Sequence, residues 1–274
     1  MSQHKIFTLD NLSLQEIDSE AELIPLLTPE DEEEMINEQL PDSLPILPLR
    51  NTVLFPGVVI PITAGRDKSI KLLNDANAKG KIIGVVSQID EDVEEPTSND
   101  VHRVGTVAQI MRVLKMPDGN TTVILQGKKR FEIDKFTQEE PYLRATIKEV
   151  VEKRPDANDD EFKTIVDSIK ELAIEIINES PNIPSEATFA IKNIDSNPFL
   201  INFVSSNMNL NVKEKQDLLQ IGDLKERALE TLRYMNLELQ KLELKNDIQS
   251  KVRTDFFSIE SDFKVSFLSV LFSA

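Results

Sequence analysis

Apolar residues follow two regimes along this chain, a strand-like one up to about residue 150 and a helical one beyond it. The first opens at Leu44–Gly65, where two apolar runs, Leu44–Leu49 and Val58–Thr63, flank a break at Arg50–Gly57. Pro45, Pro48, Pro56 and Pro61 each lack a backbone donor, which predicts edge or barrel-rim strands joined by a turn at Phe55-Pro56-Gly57. Asp67–Ala78 carries helical spacing at Ile70, Leu73 and Ala76, with Gly80 just past its end. Lys81–Ile89 is a continuous apolar run that predicts a buried strand, and an acidic loop follows at Asp90–Asn99. Val101–Met116 reads as a long strand or bent pair around Gly105, turning at Pro117-Asp118-Gly119-Asn120 into Thr121–Gln126. Gly127 breaks the pattern before Arg130–Phe136, and Tyr142–Val151 places Leu143, Ala145 and Ile147 on one face. About six strands with one early helix lack the long crossovers of βαβ units, so a closed or half-closed barrel is the natural packing.

A polar linker at Glu152–Asp160 changes the period. Phe162, Ile165, Ile169, Leu172 and Ile176 then recur at three and four, predicting a helix over Asp159–Asn178 that Pro181 and Pro184 stop. Shorter helices are expected at Ser185–Ile194, Asn197–Ser205 and Val212–Ile221, the last capped by Asn211. Asp223 caps a long helix to about Thr254, which at 1.5 Å per residue extends roughly 45 Å, beyond the cover of the small bundle before it. Ala228, Leu232, Met235, Leu239 and Leu242 form a coiled-coil stripe along it, with Leu237, Leu244, Ile248 and Val252 as a second, displaced one. From residue 256 to 274 the chain turns aromatic and β-branched, an atypical tail whose abrupt composition suggests a frame-shifted or artificial origin and an aggregation risk. The expected class is α+β, a barrel followed by a helical bundle ending in one long helix.

Charge refines this picture at the N-terminus. The net charge is −17, and residues 1–42 hold 12 acidic residues against one Lys. That composition predicts a disordered acidic arm over 1–42, with short apolar pieces such as Leu23–Leu27 docking transiently. So acidic a chain makes a poor generic nucleic-acid binder, which needs clustered Lys and Arg. With no cysteine there is neither a disulfide framework nor a thiolate metal site. Met1–Asp10 has no signal-peptide pattern and no run nears the ~18 apolar residues of a membrane span, so a soluble, cytoplasmic protein is expected.

Candidate chemistry is sparse. G-x-x-x-x-G-K-[ST], G-x-S-x-G and H-E-x-x-H are all absent, and the only histidines are His4 and His102. No catalytic, cofactor-binding or metal-ligating residue is therefore assigned. Lys128-Lys129-Arg130 is the one basic cluster, read as a solvated strand end with nucleic-acid contact as the alternative. Two features remain as candidate contacts. Phe55, Ile110, Met111, Leu114 and Met116 cannot all point inward on alternating strands, which predicts an apolar, methionine-bearing surface for unfolded segments, with Phe55, Met111 and Met116 as contacts. Arg66, Asp67 and Lys68 cluster at the start of a helix, where Asp67 also suits the helix dipole.

A family resemblance runs through the same residues. Leu47-Pro48-Leu49-Arg50, Phe55-Pro56-Gly57, Ile60-Pro61 and Gly65-Arg66-Asp67-Lys68-Ser69 resemble the opening motif of the N-terminal, PUA-like domain of ATP-dependent Lon proteases. Gly84-Val85-Val86-Ser87-Gln88, Val104–Ala108, Leu114–Gly119 and Gln126–Arg130 continue the likeness in order, with Ser87 and Gln126 where the family usually has Ala and Glu. The segments at Lys213–Leu219 and Leu239–Lys251 extend it to about residue 255, beyond which it breaks. The resemblance implies a PUA-like barrel at 43–152 and a helical subdomain at 153–255, with the long helix from about 224. It further implies binding of unfolded or misfolded protein substrates and homo-oligomerisation, a hexamer in the full-length family. ATP and Mg²⁺ are expected only for an ATPase module that, with the peptidase, this chain lacks. A stand-alone adaptor and an RNA- or ligand-binding PUA-like module are the alternatives. No membrane contact is expected, and nucleic acid is disfavoured as a partner.

Overall fold

The computed structural model describes residues 6–7, 24–25, 27–116, 120–156, 158–180, 183–185 and 187–271. The turn expected at Pro117–Gly119 lies outside the described residues. Near the N-terminus β1 (Ile6–Phe7) pairs antiparallel with β2 (Ile24–Pro25), followed by α1 (Pro29–Asn37). The remaining strands are β3 (Ser43–Leu49), β4 (Val59–Ala64), β5 (Ile82–Ser87), β6 (Val104–Lys115), β7 (Thr121–Gln138) and β8 (Arg144–Glu149). α2 (Asp67–Ala78) carries the chain from β4 to β5, within the bounds that its periodicity predicts.

These six strands form one mixed sheet in the order β4-β7-β6-β5-β3-β8, and β7 pairs with β8 as well. That extra pairing closes a barrel of β7, β6, β5, β3 and β8, with β4 left outside the ring. β7 reaches both ends because it is 18 residues long, pairing with β4 over Thr121–Gln126 and with β8 over Phe131–Gln138. β3 divides its pairing too. Ser43–Pro45 face β8 and Ile46–Leu49 run parallel to β5. The Leu49 carbonyl accepts from Gln88 N–H on the β5 side, so Pro48 turns its missing donor to the other, unpaired side. Pro45 likewise lies where β5 has not yet begun to pair. Prolines expected at edges thus sit in a strand with two neighbours, one for each half.

Gly127 does not end a strand. β7 passes straight through it, and a Cβ there would meet the Phe55 carbonyl oxygen at 2.3 Å. The glycine admits the close crossing of the β3–β4 connection, and a register shift in the β6–β7 ladder lies beside it.

Beyond the barrel run α3 (Asp160–Glu179), α4 (Ala187–Lys192), α5 (Asn197–Asn207), α6 (Val212–Gln220) and α7 (Leu224–Leu271). The spacing of three and four puts Phe162, Ile165, Ile169 and Ile176 on the buried side of α3. Asp159, Ser196 and Asn211 cap α3, α5 and α6, the last in a full capping box. α7 outruns the predicted end near Thr254 because nothing from Leu224 to Leu271 is Gly or Pro. The expected coiled-coil stripe is spent within the chain. Ala228 and Met235 are in the helical core, and Leu232, Leu239 and Leu242 pack against it. Leu237, Leu244 and Ile248 remain exposed.

The acidic arm is partly a structured element, contrary to its composition. Thr28 and Asp31 close a capping box on α1, while Leu27 and Met35 enter the helical core. Glu32 pairs with Arg154 at 2.7 Å and accepts a hydrogen bond from Ser196. Two apolar anchors and a paired carboxylate offset the ordering cost that the charge count alone makes prohibitive.

Candidate functional site

Two strands occupy the column between β7 and β3. At one end β8 bonds to both and seals the barrel. At the other, β4 bonds among the described strands to β7 alone. The space left between β4 and the end of β3 is a groove of about 790 Å³, continued on one side by α5. β4 shows its free edge to this groove. Val58 carbonyl accepts from Gly127 N–H at 2.9 Å, which sets the ladder so that Ile60, Ile62 and Ala64 bond toward β7. Val59, Pro61 and Thr63 then turn their backbone groups outward, and Pro61 has no N–H to offer.

Phe199 and Phe203 of α5 wall the end at Gly57, their rings 5.8 Å apart. Gly57 lies there with φ +79, and a Cβ on it would meet Phe199 Cδ2 at 2.7 Å. Asn202 Nδ2 donates to the Pro56 carbonyl at 3.1 Å, so the Phe-Pro-Gly arch is the seat on which the helical half docks. Arg50, Arg66 and Ser69 line the opposite, polar end. Arg66 Nη2 donates to Gln88 Oε1 at 2.6 Å. Burial lowers the Arg66 pKa, the Arg50 charge lowers it further, and Glu95 and Glu94 offset part of this.

The six residues singled out as contacts part company here. Phe55 is fully buried, in one core cluster with Val53, Phe162 and Phe199, so it is an anchor of the arch and no surface contact. Arg66 lines the groove. Asp67 is exposed in the first turn of α2, where it meets the helix dipole. Lys68 turns away to an exposed pairing with Glu140 at 2.6 Å. Met111 is 49% exposed because it is the extra residue of a bulge in β6, opposite no partner on β7. Met116, at 36%, sits past the end of β6, while Ile110 is buried. The expected apolar patch is thereby reduced to two methionines with half-buried Val113 and Leu114.

Alternation missed Arg130. Instead of ending a strand in solvent, its guanidinium is buried and donates to the carbonyls of Leu219 and Ile221 at 3.1 and 2.6 Å. Burial first, then the neighbouring Arg227 charge, lowers its pKa to about 10 against the pull of Glu152. Arg227 is also fully buried, and it donates to Glu152 and to the Ile221 carbonyl. This Arg–Glu–Arg cluster ties barrel to bundle, Lys129 pairs with Glu149 of β8 at 3.0 Å, and of the basic trio Lys128 alone has no partner among the described residues. A similar tie runs through Ser87, whose hydroxyl donates to Gln216 at 2.6 Å, while Gln216 donates to the Val104 carbonyl. His102 is half-buried, its pKa lowered by burial against the pull of Asp217. Among the described residues no group of three His, Asp or Glu is arranged to hold a metal ion, and no helix is long and apolar enough to cross a membrane.

Residues 43–237 match the family model described as the ATP-dependent protease La (LON) substrate-binding domain. The chain is 80% identical over 255 residues to a Lon protease of Flavobacterium johnsoniae, covering 93% of this chain and 31% of that protein. It is 47% identical to one of Cytophaga hutchinsonii, covering 88% of this chain and 30% of that protein. It thus spans about a third of the length of these curated relatives. In fold it is similar to the N-terminal domain of a Mycobacterium avium complex Lon protease, with a TM-score of 0.59 at 21% identity over 71% of this chain and 98% of that one. It is also similar to a Lon N-terminal domain protein from Xanthomonas campestris, with a TM-score of 0.50 at 20% identity over 70% of this chain and 98% of that one.

Proposed function

This chain belongs to the LON substrate-binding domain family, and we propose that it holds extended, apolar segments of unfolded protein in the groove between β4 and β3. In this reading it presents them to an ATP-dependent proteolytic machinery of the kind its longer relatives are named for. ATP and Mg²⁺ would serve that machinery alone. The observation that carries the reading is the groove itself, a concavity of about 790 Å³ with apolar walls beside an unpaired strand edge. A folded protein keeps most of its strands paired and most of its apolar side chains buried, so selectivity for unfolded chains follows from shape. Barrel and helical half share one core cluster at the Phe-Pro-Gly arch, which supports their working as one rigid platform. The exposed row Leu237, Leu244 and Ile248 on α7 supports homo-oligomerisation as the role of that helix.

Capture of a reduced, unfolded model protein against its folded form tests this. Wild type is expected to retain the unfolded form only, Phe203→Glu to lose it, and Met111→Asp to keep it. Equal capture of both forms would sink the proposal. Loss of capture in Met111→Asp with retention in Phe203→Glu would move the site to the methionines on β6.

A further inference from the structure

The lining of the groove has a charge opposite to that of the chain. Across the sequence 48 acidic residues face 31 Lys and Arg, yet among the described residues the groove lining includes Arg50 and Arg66 and no Asp or Glu. The two arginines do not serve the same end. Arg66 is committed to Gln88, and Glu94 and Glu95 lie close enough to moderate its charge. Arg50 is exposed, follows directly on β3, and has no hydrogen-bond or ion-pair partner among the described residues. An unpaired guanidinium is a five-donor fork suited to a carboxylate, and it stands at one end of a trough lined mainly by apolar residues.

The backbone sets a second requirement. On one side, Val59 and Thr63 turn N–H and C=O groups out of β4, with the Pro61 carbonyl between them. On the other, Pro48 presents a carbonyl from the unpaired side of β3. An extended chain laid between them would bond to these groups and lie between the free edge of β4 and the end of β3. Pro48 and Pro61 withhold a donor from each edge, which keeps the gap from being closed permanently by another sheet.

We propose that the preferred occupant is an extended peptide segment that adds as a strand to the free edge of β4 and carries an Asp or Glu side chain at the Arg50 end, with apolar residues along the rest. This rests on the groove being the substrate site. It goes further, since the groove then reads a carboxylate and a backbone register in addition to apolarity. The source is an internal acidic side chain. A chain terminus would have to stop at Arg50, whereas a side chain leaves the segment free to pass on.

The test uses two N-acetylated, C-amidated nine-residue peptides of alternating apolar and polar residues, identical except for Glu or Gln near one end. Fluorescence anisotropy with the whole chain is expected to show the Glu peptide binding about ten-fold more tightly. Arg50→Gln, a change at an exposed position, is expected to bring that ratio close to one without altering the melting temperature. Backbone N-methylation at alternate positions of the Glu peptide is expected to abolish binding in one set and spare it in the other. Equal affinity of the two peptides, a ratio that survives Arg50→Gln, or uniform tolerance of N-methylation would overturn the inference while leaving the groove as substrate site. Failure of both peptides to bind while unfolded protein is still captured would overturn it likewise. If unfolded protein is not captured either, the parent reading falls with it.

Discussion

Pro48 on β3 and Pro61 on β4 line the same groove from two different strands, and neither has an N–H to give. They explain how the groove beside the barrel stays open in water. An edge with its full set of donors and acceptors recruits other edges, and a proline at its centre lowers that tendency.

Pro61→Val restores the donor at the middle of the free edge. The variant is expected to fold as wild type does, because the β7 side of β4 is untouched. Sedimentation velocity over a concentration series should show more self-association than wild type. Unchanged sedimentation would mean that the edge is shielded by something other than Pro61.

Gly57 carries φ +79 and lies against Phe199, so Gly57→Ala combines backbone strain with a steric clash. A loss of about 2 kcal/mol or more is expected in urea denaturation. Phe199→Leu on the same background should recover part of it, which separates the clash from the strain.

The buried cluster at the junction gives a larger effect. Arg227→Met leaves Glu152 inside with less compensation, at a cost of roughly 3 kcal/mol by denaturant unfolding. Adding Glu152→Gln should cost less than the sum of the single changes, since the second removes the charge that the first strands. Strict additivity would show that the two groups do not depend on each other.

Acid should loosen the start of α7. Asp223 is held below its ordinary value of 3.8 by its pairing with Lys153, aided by the N–H of Glu226 and then of Lys225, with burial opposing. A carboxylate whose folded value lies below its unfolded one contributes stability above the unfolded value and loses it as pH falls through the folded one. The difference in melting temperature between wild type and Asp223→Ala is therefore expected to be constant above about pH 5 and to shrink below about pH 4. A difference that stays flat to pH 2 would remove Asp223 from the account.

Much of this architecture is legible in the residues. α2 occupies the bounds its spacing predicts, Asn211 caps as its position suggests, and Leu143, Ala145 and Ile147 share one core cluster. What escaped the sequence depends on chain crossings at long range. Gly127 reads as a break until Phe55 is seen to pass over it, and Phe55 reads as surface until Phe199 closes on it. Arg130 looks solvated because its partners, the carbonyls of Leu219 and Ile221, lie some 90 residues away. The groove was hidden for the same reason. Its lining joins three separate stretches, and only the prolines at 48 and 61 carried a local sign of it, as positions unfit for a fully bonded strand.

The absence of cysteine makes the central claim directly measurable, since any introduced thiol is the only one in the chain. Thr63→Cys places it at an exposed position of β4 in the groove lining, and Met111→Cys places it on the β6 bulge. The rate of labelling by a soluble maleimide, with and without saturating unfolded protein, reports which position the substrate covers. Protection of the thiol in Thr63→Cys with unchanged labelling in Met111→Cys is the expected result. Protection in Met111→Cys alone, or in neither variant while unfolded protein is demonstrably bound, would contradict the groove between β4 and β3 as the substrate site.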